Sequence, residues 1–128
     1  KTKAIGSSFS VRKDDKIPPS LANIYKELKI QYPNYRIPVH GNLEKWEKQG
    51  VLLLNSCLTT RPNLSGAHSK YLLWMPFVKN VISEVSSMNK NIIFLLWGKD
   101  AEKLERFIDE KCIKLKASHP SPLSAYRG

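Results

Sequence analysis

A chain of 128 residues suffices for one domain, which at this size buries roughly two thirds of the surface its unfolded form exposes. Its apolar runs fall far short of the ~18 residues a membrane-spanning helix needs, and the opening KTKAIGSSFS lacks the apolar centre of a signal peptide, so a soluble chain is expected. Lysine and arginine number 21 against 11 acidic residues, a formal net charge of +10 that suits a polyanionic partner.

The first predicted element is a helix entered through IPPS. Pro18 and Pro19 preset its start, Ser20 is placed to cap it, and Leu21, Ile24, Tyr25 and Leu28 recur at helical spacing. GNLEKWEKQG predicts a second, short helix bracketed by Gly41 and Gly50. The run VLLL at 51–54 follows, and IIFLLW stands at 92–97; neither alternates, as expected of parallel strands covered on both faces. Between them WMPFVKNVISEVSS predicts a helix through Phe77, Val78, Val81, Ile82 and Val85. DAEKLERFIDE predicts another, started by Asp100 and striped by Ala101, Leu104, Phe107 and Ile108. The weaker run CIKLKA at 112–117 makes a third strand. Strand, helix, strand, helix, strand argues for right-handed crossovers and an α/β fold with a parallel sheet. Residues 1–128 show no repeat, low-complexity tract or linker and read as one domain. Cys57 and Cys112 lack CxxC or Cys/His ligand spacing, so reduced packing thiols are expected and a structural metal is not.

Ligands of open parallel sheets bind beyond the carboxyl ends of the strands, where the three runs lead to Asn55, Gly98 and His119. An amide, a glycine that admits close backbone approach and an imidazole suit a planar polar ligand near a phosphate chain. A lone Asn or His at a strand end more often satisfies loop backbone groups than binds a ligand. The closing HPSPLSAYRG places a histidine, two prolines, two serines, a leucine and an arginine together, more than a turn requires.

QGVLLLNSCLTTR (49–61), FLLWGKDAEKLERFID (94–109) and above all HPSPLSAYRG (119–128) resemble uracil-DNA glycosylases of the widespread family 1 type. FSV, IPPSLANIYKEL and HGNLEKWEKQGVLLLN match the earlier part of that family in the same order, so the resemblance runs from about Ala4 to Gly128. It implies a four-stranded parallel sheet, three strands of it visible here, flanked by helices on both faces. It also implies an enzyme that flips uracil out of DNA and hydrolyses its N-glycosidic bond, starting base excision repair without metal or cofactor. By the same resemblance Phe9 stacks on the flipped uracil, Asn55 reads its polar edge, and His119 hydrogen-bonds the uracil O2 as negative charge develops there. Leu123 is the wedge entering the vacated stack. Pro18, Pro19 and Ser20 form the proline-rich loop, Gly98 belongs to the Gly-Ser loop, and Ser121, Ser124, Tyr126 and Arg127 contact the DNA backbone. The implied partner is uracil-containing DNA, single- or double-stranded, met by a monomer and without a membrane. The compartment would be the cytoplasm of a bacterium, or the nucleus or mitochondrion of a eukaryote.

These roles suit the residue types, because chemistry on a stacked base requires its extrusion, and selectivity then comes from edge hydrogen bonds and aromatic stacking. On composition alone Phe9 reads as a core aromatic and Leu123 as packing under its own loop. Trp46, Trp74 and Trp97 read as core or rim residues, and His40 as a loop residue. His68 in GAHSK resembles a family SH position, with one extra residue before Trp74. Other departures are Lys3, Ile5 and Lys99, where the family commonly has glutamine, histidine and serine. The family's GQDPYH loop, whose aspartate positions or activates the attacking water and whose tyrosine excludes the thymine methyl, has no counterpart among these residues. Asp14 and Asp15 sit in a predicted surface turn and no motif recommends them as substitutes. The resemblance therefore implies a domain truncated at both ends, of marginal stability and little activity by itself, with sheet edges left unpaired or closed up. The alternative from a different class is a binding module of the same fold that grips DNA or uracil without cutting.

Overall fold

The computed structural model describes residues 4–59 and 73–127. His68 and the end of the 49–61 motif lie outside the described residues, as do Lys3 and Gly128. The chain gathers into two compact units, one formed by residues up to 55 together with 120–127, the other by 56–119.

In the first unit α1 spans Pro19–Gln31. Pro18, extended at φ −62°, ψ 148°, holds the capping position. Ser20, expected there, lies inside the first turn, because a proline preset at the first helical position starts the helix one residue earlier. Leu21, Ile24 and Tyr25 are buried and Leu28 half-buried. The Tyr25 hydroxyl donates to the His40 carbonyl at 3.1 Å, and its burial, together with nearby Tyr35, pushes the phenol pKa above the usual range. Trp46 of α2 (Glu44–Lys48) meets the Tyr25 ring edge-on, centroids 6.1 Å apart. Buried Leu43 donates its N–H to the buried Ser10 hydroxyl at 2.9 Å, and the Val11 N–H donates to the Gly41 carbonyl at 3.0 Å. A Cβ at Gly41 would stand 2.7 Å from Val11 Cγ2, so glycine is what lets these two segments close together.

The run 51–54 departs from expectation: it joins no ladder among the described residues, where Val51 N–H donates to the Trp46 carbonyl and Ser8 N–H to the Leu53 carbonyl, each at 3.1 Å. An apolar sequence becomes a strand only when a neighbour takes its alternating backbone groups, and none of the described segments does so.

The second unit holds α3 (Met75–Met88), β1 (Ile93–Trp97), α4 (Lys99–Glu102), a 3-10 turn (Glu105–Phe107) and β2 (Ile113–Ala117). β1 and β2 pair in parallel, Ile93 opposite Ile113 through to Trp97 opposite Ala117. The described sheet thus has two strands where three were expected. Val78 and Ile82 of α3 are buried, as are Leu96, Leu104, Ile108 and Cys112. Phe77, expected inward, is exposed and meets Trp74 edge-on at 6.1 Å. The helix expected across 100–110 is broken, and α4 starts after Gly98 instead of at Asp100. Its continuation winds through i to i+3 bonds from Leu104 to Ala101, Phe107 to Leu104 and Ile108 to Glu105, each 3.0 Å. Such winding advances ~2.0 Å per residue against ~1.5 Å in an α-helix, returning the chain along β1 in fewer residues while Leu104 and Ile108 stay buried.

Ser86 is the polar pin of this unit: its buried hydroxyl donates to the Ser83 carbonyl at 3.0 Å and accepts the Asp109 N–H at 3.2 Å. The Cys112 thiol, free as expected, lies 3.5 Å from the Ser86 carbonyl. Ser86→Ala leaves the part-buried Asp109 amide without its acceptor and is expected to cost about 1 kcal/mol, read as a lower urea midpoint at unchanged slope. Exposed Ser87→Ala should stay within about 0.5 kcal/mol; equal effects would contradict the pin.

Candidate nucleic-acid interface

Parallel pairing sets the carboxyl ends of β1 and β2 side by side. Beyond the last pair, the Gly98 N–H donates to the Ala117 carbonyl at 2.8 Å. Gly98 adopts φ 86°, ψ 164°, a region that side chains disfavour. A Cβ built there would meet His119 Cβ at 3.0 Å and the His119 backbone at 3.7 Å. Glycine is therefore required twice, for its dihedral and for the approach of His119. His119 is half-buried, and desolvation pulls its pKa below the ordinary 6.5. Burial thus favours the uncharged imidazole, in which one ring nitrogen is a donor and the other an acceptor.

The other predicted residues lie in the first unit. Leu123 N–H donates to the Ser121 hydroxyl at 3.3 Å, and Ser124 and Ala125 N–H donate to the Ser121 carbonyl at 2.9 and 2.8 Å. This turn presents Leu123 at 79% exposure, so the leucine does not pack beneath its own loop. Pro122, Tyr126 and Arg127 are exposed beside it, and Ser121 and Ser124 are half-buried.

The turn is held to α1 by two residues that sequence reasoning missed. Asn23 Nδ2 donates to the Pro120 carbonyl at 2.8 Å; Lys26 Nζ stands 3.4 Å from the Tyr126 hydroxyl and 5.6 Å from its ring centroid. Their spacing of three along α1 marks a polar stripe beside the apolar one, the one signal that pointed to them. Pro18, Pro19 and Ser20 form the start of the same helix, where first-turn amides lack intrahelical acceptors and favour anions.

Phe9 is half-buried at φ 64°, a left-handed conformation costly for a bulky residue. Bonds on either side hold it there, from Ser8 to Leu53, from Leu43 to Ser10 and from Val11 to Gly41. The Ser8 bond also brings residues adjoining Phe9 and Asn55 together; Asn55 itself is exposed.

A family model, that of the uracil DNA glycosylase superfamily, matches residues 3–128. The chain belongs to the uracil DNA glycosylase superfamily. This superfamily member is 51% identical over 126 residues to the uracil-DNA glycosylase of Proteus mirabilis, a match covering 98% of this chain and 55% of that protein. Its match to the uracil-DNA glycosylase of Psychromonas ingrahamii is 52% identical and covers 96% of this chain and 57% of that protein. The crystal structure of mimivirus uracil-DNA glycosylase is similar with TM-score 0.90 and 37% identity, over 98% of this chain and 45% of the viral one. The chain thus spans about half the length of the curated relatives it matches.

The His119 shift has a definite sign. With the folded pKa below the unfolded value near 6.5, the neutral imidazole's contribution is intact above pH 6.5 and is lost as pH falls through the folded midpoint. An NMR titration should place the His119 midpoint below 6.5 in the folded chain and near 6.5 in urea; a folded midpoint at or above 6.5 would contradict the desolvated site. Gly98→Ala should move that midpoint and cost about 1–3 kcal/mol.

Proposed function

We propose that this chain supplies the base-reading and DNA-gripping part of a uracil-DNA glycosylase, which flips uracil from single- or double-stranded DNA and hydrolyses its N-glycosidic bond to start base excision repair. On this reading the two units are portions of one monomeric domain that further family sequence completes.

The observation that carries the reading is the seating of His119 against Gly98 at adjacent strand ends in a member of this superfamily, where burial lowers the imidazole pKa. When the bond from uracil to deoxyribose breaks, its electron pair passes to the base and negative charge gathers on uracil O2. A neutral ring N–H donates a hydrogen bond to that oxygen without giving up its proton, and it strengthens as charge develops. Phe9 offers a face on which the extruded ring stacks, and the Asn55 amide matches one donor and one acceptor on its edge. Leu123 fills the vacated stack and delays return of the base. The start of α1, Ser121, Ser124, Tyr126 and Arg127, joined by Lys26, hold phosphates without reading sequence.

Attack by water also needs a carboxylate near the cation-like sugar, and no residue here is assigned that role. The isolated chain is therefore expected to bind DNA without releasing uracil. Extension with the unmatched portion of the Proteus relative should restore release from a uracil-containing oligonucleotide. In that extended form Asn55→Ala and His119→Ala should each lower excision about 10²- to 10³-fold while DNA affinity changes little. Near-normal excision by both variants would overturn the assignment. DNA binding without excision by the extended form would favour the binding module.

A further inference from the structure

The closing turn is shaped by its own bonds but placed by another element. Leu123 N–H donates to the Ser121 hydroxyl, Ser124 and Ala125 N–H to the Ser121 carbonyl, and Arg127 N–H to the Ser124 carbonyl at 3.0 Å. All of these lie within residues 121–127, so they fix the form of the turn and leave open its attitude toward α1. Leu123, at 79% exposure, has too little packing to orient itself.

Two described contacts with α1 hold the turn, and they do so unequally. Lys26 and Tyr126 are both exposed and stand 3.4 Å apart at their polar ends, a long contact between wet side chains that contributes little. Asn23 is different. Its half-buried amide donates to the Pro120 carbonyl at 2.8 Å, joining residues 97 positions apart. A carbonyl can only accept, so the amide must present its NH2 edge, which an ionised aspartate or an apolar side chain cannot supply. The donor also stands on a fixed platform. On the same helix Leu21 is fully buried and Tyr25 is 2% exposed, so α1 cannot shift without opening the core.

The anchored atom is close to the leucine. From the Pro120 carbonyl to Leu123 the backbone passes through Ser121 and Pro122, and the ring of Pro122 locks its φ at about −65°. Few torsions remain by which Leu123 can swing once that carbonyl is held.

Resting on the functional reading above, we propose that Asn23 is a positioning residue for duplex DNA: it ties the wedge turn to the helix whose first turn holds phosphate, so that grip and wedge keep a fixed relation. It touches neither the base nor the reacting atoms. Its loss is felt where a vacated, paired stack must be filled, and single strands present no such stack.

The test introduces Asn23→Leu into the extended protein, keeping the size and the net charge while removing the donor. Excision from duplex DNA should fall about tenfold, and excision from single strands should stay within about twofold. Added to Leu123→Ala, the same substitution should cost nothing further on duplex, because a residue that acts through the wedge then has nothing left to place. Equal losses on both substrates, or losses that add to those of Leu123→Ala, would overturn the proposal, since a general loss of stability or of phosphate grip produces them. Should leucine not be tolerated, Asn23→Ala is read in the same way.

A second readout needs neither DNA nor excision. In this chain the Leu123 amide should show the NMR order parameter of rigid backbone, about 0.85, and Asn23→Leu should lower it below about 0.6 while the Ile24 and Tyr25 amides keep theirs. An unmoved Leu123 amide would overturn the proposal. A turn loosened by Asn23→Leu, in a protein whose extended form releases no uracil, would leave the anchor standing and contradict the functional reading. Excision whose duplex-to-single-strand ratio survives Asn23→Leu would do the reverse.

Discussion

The candidate chemistry depends on the in-register parallel pairing of β1 and β2. Strands held ~4.8 Å apart by their ladder must place their following residues side by side, and here those residues are Gly98 and the approach to His119. A Cβ at Gly98 would press on the histidine at 3.0 Å, so the imidazole's seat exists because one strand ends in glycine. The same seat removes water from the ring and lowers its pKa, which favours the neutral form. Sheet geometry, a backbone dihedral and an acid-base property are one chain of cause.

In the first unit a different constraint serves the same end. Phe9 is held at an unfavourable dihedral by hydrogen bonds that its neighbours donate to Leu53 and Gly41 and accept from Leu43, and Leu123 is lifted into solvent by a turn organised around Ser121. Neither arrangement is what burial alone would select, since an aromatic and a leucine would lower their free energy by packing inward. On the proposed reading, the net charge of +10 attracts phosphates, and the uncharged residues Phe9, Asn55, His119 and Leu123 serve the base and its vacated site.

Much of this was legible in the sequence where local rules govern. The proline entry and apolar spacing of α1, the span of α3 and the two paired strands follow from dihedral preference and periodicity. The failures lie where partners decide. The 51–54 run has a strand's composition but meets no second strand among the described residues, and the 100–110 stripe has a helix's periodicity but is wound tighter to return along β1. Phe77 sits on the expected face of α3 yet stays exposed, because nothing in the described unit covers that end. At the candidate site the motif spelling named Gly98, His119 and the closing turn, whereas the strain at Phe9 and the anchoring by Asn23 and Lys26 became visible only in three dimensions.

The central claim is that His119 meets uracil as a neutral hydrogen-bond donor. Its most direct test is a titration of free uracil into the extended protein carrying 15N-labelled histidine, followed through the ring nitrogens of His119 at neutral pH. The account predicts that the protonated nitrogen of a still-neutral ring shifts as uracil binds. Saturable uracil binding that leaves both His119 nitrogens unmoved, or that protonates the ring, would contradict it.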